Sequence, residues 1–179
     1  MKSYTVPSFD GTAIDSATFE MLGALLRFLK PRFLAEAGTY QGHFAILAAA
    51  CLDRQQCGGH VYTFDIEDFG VEAFAEKQGL TPCLTFAKAD FRDVLSLFPH
   101  LAGLCDVVFI DSGPVPGGTT NANLRWDHWQ FGKQLLHPGG LLLCDDLLGE
   151  WSHVDEIKAE CGLFLSGGRG LGIWQKPYG

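Results

Sequence analysis

Acidic residues recur along this 179-residue chain at the points where short apolar runs end. Carboxylates in such positions can accept hydrogen bonds from sugar hydroxyls, bind hard divalent cations, or cap the helices that follow. Capping is the common role of a single Asp, whereas several acids on one edge of a sheet favour a site. The acids in question are Glu36, Asp65, Asp90, Asp111, Asp145 and Asp146.

The segment FLAEAGTYQGHFAILAAA, residues 33–50, joins a short apolar run to an alanine-rich helical pattern. Its turn carries Glu36, Gly38 and Gly42, and the glycines would let the backbone approach a ligand while the helix offers its N-terminal amides. The spacing E-x-G-x-x-x-G differs from the G-x-G-x-x-G of nicotinamide and flavin folds, which disfavours an oxidoreductase. The motif gains weight from Asp65, 27 residues after Gly38 (65 − 38), where a carboxylate can accept both hydroxyls of a ribose.

These residues would be positioned by strands that alternate with helices. The apolar runs predict strands at 33–37, 60–65, 84–89, 105–111 and 141–145. Helical spacing predicts helices at 16–29, about 43–53, 69–78, 91–98 and 121–136. A final antiparallel pair, 163–166 and 172–176, flanks GGRG.

The alternation predicts an α/β protein with a parallel sheet covered on both faces. Ligands of such sheets bind beyond the carboxyl ends of the strands, so the acids would line one rim. We predict a single domain over residues 16–179, preceded by an N-terminal leader over residues 1–15.

The composition points to a small-molecule partner. A net charge of −8, from 13 basic against 21 acidic residues, argues against nucleic acid and against an anionic membrane surface. Neither a signal-type core nor an apolar run of membrane-spanning length is present, which predicts a cytoplasmic location. The six cysteines form no C-x-x-C pair and are interpreted as reduced structural thiols, with Cys105 and Cys144 against apolar runs.

The motifs together resemble those of the class I S-adenosylmethionine-dependent methyltransferases, over about residues 25–176. AEAGTYQG resembles motif I of that family, VYTFD the ribose-binding strand, and AKADFRD the segment whose acid lies near the adenine. DVVFID resembles the fourth strand, LLHPGGLLLCDDL the passage into the fifth, and GRGLGIWQK the last strand. The resemblance implies a Rossmann-like, doubly wound, mostly parallel seven-stranded sheet with an antiparallel C-terminal strand.

It also implies S-adenosylmethionine as the cofactor. Gly38, Asp65 and Asp90 match cofactor contacts of the family, and Glu36 matches a residue that orders the turn and approaches the methionine amine. The implied cofactor-binding residues are Glu36, Gly38, Thr39, Tyr40, Gly42, Asp65, Ile66, Asp90, Phe91 and Asp111.

Within that family, FID followed by CDDL is similar to the metal-dependent O-methyltransferases of the catechol and macrocin types. The resemblance implies Asp111, Asp145 and Asp146 as ligands of Mg²⁺, with Asp111 also catalytic. A divalent ion on such oxygen ligands could hold the adjacent hydroxyls of an acceptor and lower the pKa of one of them. The alternative is that the Asp145–Asp146 pair only caps the next helix.

The chain also departs from these relatives. Ser112, Gly113 and Pro114 follow Asp111 where relatives commonly carry an acid or His, so the family's base cannot be carried over. Of the three histidines predicted near the rim (His43, His128 and His153), His153 is our preferred base, because loops after strand five reach the reacting centre in this fold. Trp126, Trp129 and Trp151 are interpreted either as an acceptor pocket or, more conservatively, as core or dimer contacts.

The sequence thus predicts methyl transfer from S-adenosylmethionine to a hydroxyl of a small acceptor such as a polyol, sugar or phenol, with Mg²⁺ assistance. The alternative is a binding module of methyltransferase shape that has lost catalysis, which the missing acid after Asp111 would favour. The acceptor pocket would be closed by the loops at 112–124 and 147–153 or by a second subunit, and a homodimer is expected on that ground.

Overall fold

The computed structural model describes residues 3–7, 14–56, 58–113 and 123–178. These residues form a seven-stranded sheet in the order β3-β2-β1-β4-β5-β7-β6. The strands are β1 (Phe33–Ala37), β2 (His60–Asp65), β3 (Leu84–Lys88), β4 (Cys105–Ile110), β5 (Leu136–Cys144), β6 (Leu163–Leu165) and β7 (Leu171–Gln175). The helices are α1 (Ser16–Leu29), α2 (His43–Gln55), α3 (Val71–Lys77), α4 (Val94–Leu97), α5 (Leu124–Leu135) and α6 (Val154–Glu160), with short 3₁₀ turns at Thr81–Cys83, Phe91–Asp93 and Pro99–Leu101.

The first five strands are parallel, and the last two reverse direction. β1 pairs with β2 and β4, β2 with β3, and β4 with β5, all in parallel. β7 runs antiparallel to both β5 and β6. The predicted Rossmann-like, mostly parallel seven-stranded sheet with an antiparallel C-terminal strand is therefore confirmed.

Helices cover both faces of the sheet because successive strand residues point to opposite sides. On one face, Leu34 and Val61 pack into a core with helices α1, α2 and α3. On the other, Ala35 and Phe64 pack with residues of α4, α5 and α6. Cys105 and Cys144 are fully buried there, as small apolar residues would be, and Cys57 lies outside the described residues.

Helix α1 shows how local sequence sets the element boundaries. Asp15 caps its N-terminus by accepting the amides of Ala17 and Thr18 at 3.0 and 3.1 Å. Lys30 ends the helix in a left-handed conformation directly before Pro31. Ile14 of the predicted leader is buried, and Thr5 is bonded to Gln78.

The largest departures of the structure from the predicted elements are at three places. β5 begins at Leu136, five residues before the predicted 141 (141 − 136), because Leu136 already pairs with Cys105 across an irregular register. The predicted helix at 91–98 is a 3₁₀ turn followed by the short α4. Helix α6 was not predicted, since its sequence VDEIKAE has little apolar periodicity. None of the described helices has the length and apolar character to cross a membrane.

Candidate functional site

The site lies where β1 and β4 are neighbours, which is the point at which the strand order reverses. Gly38 ends β1 with φ at +92°. A Cβ at this position would lie 2.6 Å from the carbonyl oxygen of Asp111 and 2.7 Å from the amide nitrogen of Ser112. Because such distances are well inside van der Waals contact, only glycine lets the turn after β1 lie against the end of β4.

Asp65 at the end of β2 is held in place by the turn beside it. Its Oδ2 accepts the amide of Tyr40 at 2.8 Å, and its Oδ1 accepts the amide of Glu67 at 3.1 Å. Tyr40 adopts a left-handed φ of +44° and packs its ring edge-on against Phe69 at 4.9 Å. The carboxylate is therefore oriented before any ligand arrives.

Glu36 is 1% exposed and lies behind this turn. Its Oε2 accepts the hydroxyl of Thr63 at 2.5 Å, and the Thr63 hydroxyl lies 2.5 Å from that of Thr39. Burial raises the pKa of Glu36 well above its usual 4.5, with a smaller contribution from the charges of Asp111 and Asp65. This hydrogen-bond network connects β1, its neighbour β2 and the turn after β1.

We expect Glu36→Gln to stabilise the protein at high pH. Since the folded-state pKa of Glu36 is raised, the contribution of Glu36 to stability is fully present below its unfolded-state pKa of about 4.5 and is lost as the pH rises through the folded-state pKa. Gln does not titrate and keeps an oxygen for the Thr63 hydroxyl. Urea unfolding at pH 5, 7 and 9 should give a free-energy difference that grows with pH in favour of the variant. Glu20→Gln on exposed α1 is the control, and a pH-independent difference for Glu36→Gln would contradict the argument.

An open cleft lies beyond the carboxyl ends of these strands, and it encloses about 470 Å³ of empty space when the adjoining open solvent is included. It is lined by Gly38, Phe64, Asp65, Ile66, Ala89, Asp90, Phe91, Ser112, Gly113, Leu124 and His128. Five of the ten predicted cofactor residues are in this lining. The other five are not in the lining: Glu36 is in β1, Thr39, Tyr40 and Gly42 are in the turn after β1, and Asp111 directly follows β4.

Asp90 stands at the third wall of the cleft, after β3. It caps the 3₁₀ turn at Phe91–Asp93. Its Oδ2 accepts a hydrogen bond from Nη2 of Arg92 at 2.6 Å, and its Oδ1 accepts one from Nε of Arg92 at 2.9 Å. The hydrogen bond with that guanidinium is the largest effect that lowers the pKa of Asp90 to about 2. Asp90 therefore caps a turn and also faces the cleft as a fixed negative charge.

Ser112 and His128 form a buried pair that also lines the cleft. The Ser112 hydroxyl lies 2.8 Å from Nδ1 of His128, whose side chain is 5% exposed. Within the described residues, Nε2 of this ring has no hydrogen-bond partner, although Asp90 Oδ1 is 3.5 Å away. Burial lowers the pKa of His128 to about 4, so the ring is neutral at pH 7.

The three acids predicted as metal ligands come together at the ends of β4 and β5, and two arginines lie among them. Arg169 places Nη2 3.0 Å from Asp146 Oδ2 and 3.8 Å from Asp111 Oδ1, and Nε 4.0 Å from Asp145 Oδ2. Arg125, 2% exposed, places Nη2 3.7 Å from Asp146 and donates to the backbone oxygen of Asp145. Burial, and next the charge of Asp111, raises the pKa of Asp145 to about 7.

This arrangement does not fit a divalent cation. Asp145 is fully buried with neither carboxylate oxygen hydrogen-bonded in the described part of the chain, which would suit a cation. A guanidinium, however, already lies within ion-pair distance of all three carboxylates. Among the described residues no group of three or more His, Cys, Asp or Glu side chains is arranged to hold a metal ion.

The alternative that the aspartate pair caps the next helix also fails, since α6 begins only at Val154, with His153 as its N-cap.

His153 is not among the residues that line the cleft. Its Nδ1 is 3.1 Å from Glu156 Oε1, and its ring stacks on Trp126 at 5.1 Å. Trp129 is fully buried and donates to Glu160, so it belongs to the core. Trp151 lies under the Arg125 guanidinium at 4.3 Å and donates to Asp146. The part of the predicted acceptor loop at 114–122 lies outside the described residues.

Sequence reasoning missed both arginines of the acid cluster. Arg125 is on α5, where it reads as an ordinary helical residue, and Arg169 is in GGRG, which was interpreted only as a turn. His128 was noted, but its pairing with Ser112 was not. A signal existed for Arg169, because a cation between two glycines is an unusual choice for a plain hairpin loop.

A doubly wound sheet of this order, with a glycine turn and successive strand-end acids around one cleft, defines a class I S-adenosylmethionine-dependent methyltransferase. A family described as a methyltransferase domain matches residues 35–147, more than half of the chain. The chain belongs to this methyltransferase family. No protein of curated function matches it in sequence.

Several solved structures share the fold. An O-methyltransferase, TomG, from Streptomyces achromogenes in complex with S-adenosylmethionine is similar, with a TM-score of 0.72 and 16% identity over 95% of this chain and 84% of that one. An O-methyltransferase from Bacillus cereus in complex with S-adenosylhomocysteine gives 0.71 and 17% over 91% and 82%. A methyltransferase from Geobacter sulfurreducens gives 0.71 and 15% over 93% and 81%.

Proposed function

We propose that this methyltransferase transfers the methyl group of S-adenosylmethionine to a hydroxyl oxygen of a small acceptor. The observation that carries the proposal is that Asp65 and Asp90, from two different strands, face one cleft that begins at Gly38. An acid at the end of the second strand can accept the hydroxyls of a ribose, and Asp90 lines the same cleft, where a base attached to that ribose would lie. The small share of basic residues and the open cleft support a small acceptor rather than a nucleic acid.

The ribose end of the cofactor would lie on Asp65. Its carboxylate is held by two backbone amides, and a carboxylate oxygen has lone pairs for further donors, so both ribose hydroxyls can bond to it. Glu36 would act through Thr63 and Thr39, which keep the turn in place next to the methionine end. The whole set proposed for the cofactor is Glu36, Gly38, Thr39, Tyr40, Gly42, Asp65, Ile66, Asp90, Phe91 and Asp111.

The adenine would lie between Ile66 and the wall that carries Asp90 and His128. Ile66 is 52% exposed although apolar, and it lines the cleft, which suits an aromatic ring as its partner. Asp90 is fixed as an acceptor by Arg92, and Nε2 of His128 is buried with no partner in the described residues. The Asp90 carboxylate and Nε2 of His128 could form hydrogen bonds with the edge of the adenine.

Methyl transfer from a sulfonium needs an acceptor oxygen in line with the methyl group and little water nearby. His153 remains our proposed base, with Glu156 orienting its ring from Nδ1, and Asp111 is proposed at the reacting centre. Transfer to oxygen is supported by the neighbours that are named O-methyltransferases. Mg²⁺ assistance through Asp111, Asp145 and Asp146 stays a hypothesis from the sequence, which the charges around them do not favour. A homodimer and a cytoplasmic location also stay predictions.

Isothermal titration with S-adenosylhomocysteine tests the cofactor directly. We expect saturable binding with one molecule per chain, and no heat with NAD. Absence of heat from a protein shown by circular dichroism to be folded would defeat the proposal. Methyl transfer is then measured with radiolabelled S-adenosylmethionine and a panel of catechols, sugars and polyols. Binding with no transfer to any of them would favour the inactive binding module instead.

A further inference from the structure

Backbone hydrogen bonds fix the position of the loop that carries Arg169. It lies in the loop between β6 and β7, next to Gly170, whose φ is +87°. The backbone oxygens of Arg169 and Gly170 accept the amides of Leu148 and Leu147, both at 2.9 Å. A Cβ on Gly170 would lie 3.1 Å from the Leu148 nitrogen, so the contact leaves little room for another residue. The loop is thus tied to the segment that directly follows Asp145 and Asp146.

The carboxylates that Arg169 faces are poorly hydrated. The side chain of Asp145 is 0% exposed, and those of Asp111 and Asp146 are 19% and 18% exposed. Carboxylates taken out of water need compensating positive charge. Arg169 lies within 4.0 Å of each of the three, whereas among the described residues Arg125 lies within ion-pair distance of Asp146 and donates to the backbone oxygen of Asp145.

We propose that the guanidinium of Arg169 takes the place of a divalent cation at this rim. The protein's own cation neutralises Asp111, Asp145 and Asp146 and holds the β6–β7 loop against them, so the wild-type chain neither binds nor requires Mg²⁺ here. Arg169 acts through the three carboxylates and is therefore a positioning residue. The inference rests on the proposed function in one respect: the proposed function places this rim beside the reacting centre.

The test is to remove the guanidinium and ask whether the carboxylates then bind a metal. Mn²⁺ is the probe, because free Mn²⁺ is counted by electron paramagnetic resonance without any assay of activity. The wild type should show no Mn²⁺ binding at this cluster, and Arg169→Met should bind one ion per chain with a dissociation constant at least about tenfold below the highest Mn²⁺ concentration at which the wild type still binds none, since ligand charge sets affinity in oxygen sites. Adding Asp145→Asn to Arg169→Met should abolish that binding.

Thermal melting gives a second readout. Mn²⁺ or Mg²⁺ should raise the melting temperature of Arg169→Met and leave the wild type unchanged, because only a ligand that binds the folded state stabilises it. Arg169→Lys restores the charge and should again bind no Mn²⁺, although a point charge replaces a planar fork. Arg27→Met, at an exposed position on α1, is the matched control and should behave as the wild type.

Two outcomes would overturn the proposal. One is Mn²⁺ binding by the wild type that Asp145→Asn abolishes, which would make the cluster a metal site. The other is no binding by either the wild type or Arg169→Met, which would show that the carboxylates form no cation site. If Arg169→Met does not fold, Arg169→Gln, which also removes the positive charge but keeps a polar side chain, takes its place in the same titration. Failure of the wild type to bind S-adenosylhomocysteine would defeat the proposed function and leave the Mn²⁺ result standing.

Discussion

Asp65→Asn is expected to weaken the binding of S-adenosylhomocysteine by roughly 100-fold, about 2.7 kcal/mol. The substitution removes the negative charge that would accept both ribose hydroxyls, and hydrogen bonds to a charged group contribute about 1.5–3 kcal/mol each. It also turns one acceptor of the Tyr40 and Glu67 amides into a donor, so the pre-set orientation of the side chain is lost. Isothermal titration at pH 7.5 measures the change.

The matched control is Glu67→Gln, which removes the same charge two residues away on an exposed side chain. Its backbone amide still bonds to Asp65, so its dissociation constant should stay within about twofold of the wild type. Circular dichroism of both variants excludes unfolding as the cause. Equal affinities for Asp65→Asn and the wild type would place the ribose elsewhere and remove the main support for the cofactor site.

Gly38→Ala is expected to destabilise the fold by about 3 kcal/mol, because both a left-handed φ and an overpacked contact oppose the new side chain. The contacts are with the backbone of Asp111 and Ser112 at 2.6 and 2.7 Å, which no rotamer change can relieve. At about 2–4 °C per kcal/mol for a chain of this size, the melting temperature should fall by about 6–12 °C. Differential scanning calorimetry measures it.

Gly79→Ala separates the two causes. Gly79 has φ at +68°, and a Cβ there would meet nothing within 4 Å. This variant carries the backbone strain without the clash and should lose only about 1 kcal/mol. A Gly38→Ala variant that loses no more than Gly79→Ala would show that the turn after β1 and the end of β4 can move apart, contrary to the close contact described above.

Much of the fold was predictable because its signals are local. The apolar runs at Phe33–Ala37 and His60–Asp65 have the length and β-forming residues of buried strands, and both were predicted with the observed bounds. Helix α1 was likewise predicted over Ser16–Leu29 from its helical spacing, and Asp15 at its start and Pro31 after its end are local signals of the same kind. The signals that failed were weak ones: α6 is short and polar, and β5 begins in His-Pro-Gly-Gly, which favours a turn.

The candidate site likewise has residues that the sequence predicts and contacts that it does not. Gly38, Asp65 and Asp90 could be chosen from the sequence because each stands at the end of a strand, and parallel strands bring such ends to one edge. The partners that give these residues their properties could not. Arg92 is near Asp90 in sequence, yet only the geometry of the turn shows that it donates hydrogen bonds to the Asp90 carboxylate. Ser112 and His128 are 16 residues apart, and no pattern in the sequence indicates their contact.

By itself, then, the sequence determined the alternation of strands and helices, the glycine turn and the strand-end acids, because these depend on spacing within one segment. Only the tertiary structure decided what surrounds the acids after β4 and β5. Arg125 lies 20 residues before Asp145 (145 − 125), and Arg169 lies 24 residues after it (169 − 145). The packing of α5 and the reversal between β6 and β7 bring both charges to the carboxylates. The physical reason is that an ion pair depends on distance in space, which no spacing along the chain encodes.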